Sequence, residues 1–147
     1  MFAPQRSQAQ MYSQVHSDTP VHSADPHRLV LLLLDGALES IAVAQGAMER
    51  GDIAAKGAAI GRAMAIIDEG LRAELDLQRG GQVAATLHDL YSCLIVRLVK
   101  ANVHNDRQPL RECATLLSPL REAWNQIVPA AAAFSAGPSQ RLSAAPV

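Results

Sequence analysis

Residues 25–52 read DPHRLVLLLLDGALESIAVAQGAMERGD, the pattern of one complete helix followed by a stop and a restart. Asp25 can accept hydrogen bonds from the free N–H groups of a first turn, and Pro26 suits the first helical position because its missing N–H is not needed there. Gly51 ends the pattern, since glycine readily takes the left-handed conformation that closes a helix. Asp52 then offers a cap for a second helix. The stretch predicts two antiparallel helices joined by a very short loop.

Similar breaks divide the following sequence into three further helices. The second is predicted over 52–79, where the pair Gly80-Gly81 interrupts the pattern. The third is predicted over 82–103 and the fourth over 107–128, with an Asn/Asp turn between them. Because short loops force neighbouring helices to be antiparallel, the predicted fold is an all-α, up-down-up-down four-helix bundle.

Apolar residues recur at three- and four-residue spacing in each predicted helix, which is typical of a helix with one buried side. Leu94 and Trp124 are expected in the core. The other expected core positions of helices two to four are Ile53, Ile60, Met64, Ile67, Leu71, Leu75, Val83, Leu87, Leu90, Leu98, Ala101, Leu110, Ala114, Leu117, Leu120 and Ile127.

Two segments of different composition flank the helical region. Residues 1–25 are rich in Gln, Ser and His, and residues 129–147 consist mainly of Ala, Pro, Ser and Gly without periodicity. Such compositions bury too little apolar surface to fold alone. We therefore predict a flexible N-terminal arm at 1–25, the bundle at 26–128 and a disordered tail at 129–147.

Composition and charge exclude several classes of protein. The formal net charge is −1, so there is no basic excess of the kind that predicts nucleic-acid binding. The longest unbroken aliphatic run, Leu29 to Leu34, is far shorter than the roughly 20 residues of a membrane span, and the N-terminus lacks the pattern of a secretory signal. Cys93 and Cys113 lie in apolar segments and are expected to be free, buried thiols, with a disulfide between them as the less favoured alternative. We predict a cytoplasmic protein without membrane insertion.

The sequence contains no recognisable catalytic or metal-binding motif. His88 and Cys93 are five residues apart, a spacing that does not place two ligands on one face of a helix. Gly57 and Gly61 are four apart, and we interpret them as small residues that let helices pack closely. The prediction is a protein that is not an enzyme and that uses no cofactor and no metal.

Helices two and three each contain a second apolar stripe beside the expected core stripe. These stripes are Ala59, Ala63, Ile66, Gly70, Ala73 and Leu77 on helix two, and Tyr91, Ile95, Val99 and Val103 on helix three. One interpretation is a wide core with tight helix packing. The other is a shallow surface groove for an amphipathic partner helix, in which Ile66, Tyr91, Ile95 and Val99 are exposed above a floor of Ala59, Ala63 and Gly70. Both interpretations remain open from the sequence.

The N-terminal arm contains one pair of larger apolar residues, Met11 and Tyr12. We interpret this pair as an anchor that folds back into an apolar site, so that both residues join the candidate partner-binding set. The alternative is an incidental aromatic residue in a flexible arm.

Several short segments resemble, in order and spacing, those of a known family. They are Met11-Tyr12, SADPHRLV at 23–30, LLDGAL at 33–38, GGQVA at 80–84, Leu87, LY at 90–91, Leu98, Ala101-Asn102 and LREAW at 120–124. Together they are similar to the FliS family of flagellar export chaperones. Leu34 departs from the family, which usually has an aromatic residue there, and Asp25 replaces the usual Ser as an equally good cap.

The resemblance implies a cytoplasmic chaperone of the flagellar type III export pathway. Members of the family are antiparallel helical bundles that hold the disordered C-terminal segment of flagellin, block its premature polymerisation and hand it to the export gate. In the family, the N-terminal Tyr region can occupy the cargo groove when cargo is absent, and Tyr12 matches that element. The implied partners are flagellin and the export gate, with other flagellar regulatory proteins left open. The alternative from another class is a dimerising helical adaptor or regulatory protein.

Overall fold

The computed structural model describes residues 25–127, which form four helices in the predicted order. Helix α1 is Pro26–Arg50, and α2 is Ile53–Ala65 with a π-helical continuation, Ile66–Arg72. Helix α3 is Leu77–His104 and α4 is Arg107–Gln126. Each helix packs against the next, α4 packs back against α1, and no strand occurs within this range. The predicted all-α four-helix bundle is confirmed.

The first helix has the ends that its sequence predicts. The Asp25 carboxylate accepts a hydrogen bond from the backbone N–H of Arg28 at 3.1 Å, and Pro26 occupies the first turn. Gly51 closes the helix in the left-handed conformation, at φ 73°. Asp52 caps α2 by accepting from the N–H of Ala55 at 3.1 Å. These local capping interactions fix where α1 ends and α2 begins, and therefore where the chain reverses direction.

Among the described residues, helix α1 alone is both long and apolar enough to suit a membrane span, with a mean hydropathy of 1.6 over one 18-residue window. In the fold, however, Leu33, Leu34 and Ile41 are buried in the common core, and α1 contacts both α2 and α4. This is the packing of a core helix in a bundle.

The boundary between the second and third helices differs from the prediction of 52–79 and 82–103. The π-helical segment ends at Arg72, and α3 begins at Leu77, because the Asp76 carboxylate accepts from the N–H of Arg79 at 3.0 Å and caps a new helix. The predicted glycine break is present but lies inside α3, where Gly81 has φ 54° and ψ −133°.

The expected core is confirmed at its centre and wrong at its ends. Leu94 is fully buried and Trp124 is 8% exposed. In contrast, Ile53, Val83 and Ile127 are at least 39% exposed. Ile53 opens α2, Val83 follows the bend at Gly81, and Ile127 lies beyond α4. The apolar spacing in the sequence continues to the ends of the helices, where the side chains are left exposed.

Candidate partner-binding groove

The second apolar stripe of α2 belongs to the core. Ala59, Ala63, Ile66 and Gly70 are all buried, so the prediction that they form or floor a surface groove is wrong. Helix α2 makes its most extensive contact with α1, and small side chains allow two helices to approach closely. For this helix, the wide-core interpretation is the correct one.

The second stripe of α3 is divided between core and surface. Tyr91 is 3% exposed, and its burial raises the pKa of the phenol well above its usual value. Its predicted exposure is therefore wrong. Ile95 is half-buried and Val99 is 42% exposed. Whether these residues contact a partner stays a prediction.

A groove does lie between α2 and α3, on the side of α2 that faces away from α1. It has a volume of about 310 Å³. Its lining residues are Gly61, Met64, Ala65, Asp68, Glu69, Arg72 and Ile95. Of the proposed residues that lie within 25–127, only Ile95 is part of this groove.

Gly57 and Gly61 are the residues whose role the sequence interpretation missed. A Cβ atom built on either glycine would meet no atom of another helix within 4 Å, so neither glycine serves close packing inside the bundle. Each leaves open space above the backbone of α2. Their four-residue spacing was the signal, and only the fold shows that it faces outward.

An apolar strip continues the groove along α3 towards its C-terminal end. Val96 is 54% exposed, Val99 42% and Val103 70%. Ile53, 59% exposed at the start of α2, lies at the same end of the pair, because α2 and α3 run antiparallel. Groove and apolar strip together give this side of the bundle a long surface that is mainly apolar, with charged side chains at the end formed by Asp68, Glu69 and Arg72.

Polar contacts fix the spacing of α2 and α3 near both ends of this surface. At one end Lys56, only 5% exposed, donates to the carbonyl oxygen of Asn102 at 3.1 Å and to Oδ1 of Asn105 at 3.2 Å. At the other end Nη1 of Arg72 donates to Oγ of Ser92 at 2.7 Å. These bridges hold the groove open in one geometry, which lowers the ordering cost of binding.

The chemistry of reactive groups is limited in the described residues. Both cysteines are free, Cys113 buried and Cys93 exposed, so the expected burial of Cys93 is wrong. Burial raises the pKa of the Cys113 thiol to about 12, which keeps it protonated and unreactive. Residues 25–127 bring together no group of three or more His, Cys, Asp or Glu side chains that could hold a metal ion.

Two predicted contact residues, Met11 and Tyr12, lie outside the described residues, as do most of the predicted arm and the whole predicted tail. The anchor in the arm therefore stays a prediction. So do the proposed domain boundaries.

Comparison with known proteins gives consistent matches over most of the chain. The family model described as flagellar protein FliS matches residues 8–131. The flagellar secretion chaperone FliS of Salmonella typhimurium is 46% identical over 120 residues, 82% of this chain and 89% of that protein. The flagellar secretion chaperone FliSB of Pseudomonas aeruginosa is 47% identical over 116 residues, 79% of this chain and 91% of that protein. The flagellar secretion chaperone FliS of Bacillus subtilis is 31% identical over 113 residues, 77% of this chain and 83% of that protein.

Proposed function

The chain belongs to the FliS family of flagellar secretion chaperones, and from this premise we propose that it is the cytoplasmic export chaperone of a flagellin. It binds the disordered C-terminal segment of flagellin, prevents premature polymerisation and delivers the cargo to the flagellar type III export apparatus. The family is one of chaperones and not of enzymes.

The observation that supports this proposal is the open space above Gly61 in the groove between α2 and α3. An amphipathic helix recognises a groove through apolar anchors at helical spacing. Glycines in the receiving helix let the backbone of a guest helix come close. Met64 and Ile95 then offer apolar side chains on either side of the guest.

Such a chaperone requires no energy source. It stabilises the masked state of its cargo by mass action, since binding lowers the concentration of free, polymerising segments. Each apolar Å² buried contributes roughly 25 cal/mol before the cost of ordering the guest segment is subtracted. A disordered segment pays that ordering cost on binding, which favours a prearranged groove.

The first prediction tests the groove with Gly61→Leu. The added side chain points into open space, so the free bundle tolerates it, but it occupies the volume that the guest needs. We expect affinity for a flagellin C-terminal peptide to fall by about ten-fold or more, which corresponds to about 1.4 kcal/mol. Isothermal titration calorimetry measures the affinity, and a melting curve verifies the fold.

The matched control for this experiment is Ala42→Leu. Ala42 is an exposed position on α1, outside the groove, and the substitution also adds a leucine to a helix surface. The control should bind the peptide like the parent chain. Equal affinity of Gly61→Leu and Ala42→Leu would show that the cargo does not use the groove.

Ile95→Glu is a second variant for the same site. Because Ile95 is half-buried and packs against the core, a carboxylate there is expected to reduce both peptide affinity and stability. Gly61→Leu therefore gives the cleaner separation of binding from folding.

A second candidate function is a dimerising adaptor, which the exposed valines of the apolar strip favour. In that case the strip would pack against the same strip of a second copy. Size-exclusion chromatography with and without the peptide separates the two functions. A constitutive dimer that is indifferent to the peptide supports the adaptor, and formation of a complex supports the chaperone.

A further inference from the structure

We propose that the groove selects a guest helix that carries a lysine or arginine. This cation lies at the end of the groove formed by the π-helical segment, and Glu69 is the residue that pairs with it. The inference rests on the proposed function and specifies the chemistry of the cargo. It depends on the order of side chains along one face of α2 and on the pairing of charges at the groove's end.

The groove face of α2 changes character along its length. The lining residues of this helix are Gly61, the pair Met64-Ala65, the pair Asp68-Glu69 and Arg72, which recur every three to four residues along one face. The first three are small or apolar, and the last three are charged. A guest helix that lies along this face therefore passes from an apolar contact to a charged one.

The charged residues at this end are not equivalent. Arg72 forms an ion pair with Asp68 and donates to the Ser92 hydroxyl at 2.7 Å, and that hydroxyl donates to the carbonyl oxygen of His88 at 3.0 Å. The charge of Asp68 is thereby matched within the bundle. Glu69 is exposed and has no ion-pair partner among residues 25–127.

The surroundings reinforce the negative charge at Glu69. Glu74 is exposed shortly after the π-helical segment, and the Asp89 side chain on α3 is 88% exposed three residues before Ser92. The end of a helix adds a partial negative charge from its free carbonyl groups. Because Arg72 is already paired with Asp68, we expect this end of the groove to favour a cation over an anion.

The geometry also gives the position of the guest cation. Gly61 and Glu69 are eight residues apart, and Glu69 lies in the π-helical segment, about two turns after Gly61. The cation should lie about two turns along the guest from the residue that packs on Gly61. An exposed pair of this kind contributes modestly to affinity but discriminates against a guest with an acidic residue there.

The experiment measures binding of a synthetic peptide, the C-terminal segment of the flagellin from the same bacterium, to the full chain and to Glu69→Gln and Glu69→Lys. We expect about a two- to five-fold loss for Glu69→Gln and a larger loss for Glu69→Lys at about 50 mM salt. Both differences should shrink at about 500 mM salt, because exposed charges are then screened. Replacing the basic residues of the peptide by glutamate should restore binding to Glu69→Lys.

The control is Glu39→Lys, which makes the same charge change at an exposed position of α1. It should bind like the parent chain. If Glu69→Lys binds like Glu39→Lys while Gly61→Leu still loses affinity, the cation at Glu69 is refuted and the groove stands. If the peptide does not bind the parent chain at all, the proposed function fails, and this inference fails with it.

Discussion

At the residue scale, the glycines of this chain show how position decides what a missing side chain does. Gly81 has φ 54°, in a region that L residues rarely adopt, whereas Gly61 lies within regular helix. A Cβ atom would meet no neighbour within 4 Å at either site. Any difference between the two sites must therefore come from the backbone and not from packing.

The same substitution at these two glycines should change stability in opposite directions. Gly61→Ala should raise the free energy of unfolding by roughly 0.5–1 kcal/mol, because alanine loses less backbone entropy in a helix. Gly81→Ala should lower it by about 1–2 kcal/mol, because alanine is strained at positive φ. Urea unfolding measures both values. A destabilised Gly61→Ala would mean that position 61 is not open to solvent.

At the element scale, the corner between α1 and α2 could be predicted and the outward face of α2 could not. Asp25, Gly51 and Asp52 act locally, through caps that need no knowledge of the fold. Ala59 and Ala63 are buried and Gly61 is exposed, although all three residues are small, so residue size does not show which side of α2 a neighbouring helix covers. The groove predicted from the sequence included Ala59 and Ala63, which are buried, whereas the groove in the structure is lined on this helix by other residues, among them Gly61 and Met64.

The end of α2 shows a related limit. The glycine break before Gln82 was visible in the sequence, but the cap at Asp76 lay inside a continuous helical pattern. The π-helical winding of 66–72 has no signal in composition. Its extra residue per turn becomes visible only from the backbone hydrogen bonds.

Lys56 is predicted to stabilise the contact between α2 and α3. Lys56→Ala should lower the free energy of unfolding by about 1–3 kcal/mol, because the carbonyl of Asn102 and the amide oxygen of Asn105 lose their donor. Lys100→Ala removes the same charge from an exposed position of α3 and should change stability by less than about 0.5 kcal/mol. If the two variants lose the same free energy of unfolding in thermal or urea unfolding, Lys56 contributes no more to stability than an exposed lysine.

At the scale of the whole molecule, the bundle has two opposite seams, the lines of contact between α1 and α4 and between α2 and α3. Different contacts hold each of them. Along the seam of α1 and α4, Arg121 pairs with Asp35 at 2.7 Å and Arg107 with Glu49 at 3.0 Å. Near the start of α1, Trp124 Nε1 donates to the carbonyl of His27 at 3.1 Å, and His27 Nε2 donates to the carbonyl of Trp124 at 2.7 Å. This seam is closed by specific contacts.

The opposite seam, between α2 and α3, is bridged near its two ends and open between them. Because Trp124 lies between α1 and α4, binding at the opposite seam is expected to leave its contacts unchanged, so the two sides can be observed separately. Trp124 is the only tryptophan of the chain and stacks on His27 with ring centroids 5.4 Å apart. Its fluorescence should report unfolding of the bundle and not occupation of the groove.

This separation leads to a prediction about linked stability. A flagellin C-terminal peptide at 100 times its dissociation constant should raise the free energy of unfolding by about 2.7 kcal/mol, because it binds only the folded chain. Urea unfolding followed by Trp124 fluorescence measures the shift, with circular dichroism as the test that both signals report one transition. At the same peptide concentration Ala42→Leu should show the full shift. Gly61→Leu, although folded, should show much less. A full shift in Gly61→Leu would place the cargo on another surface of the bundle.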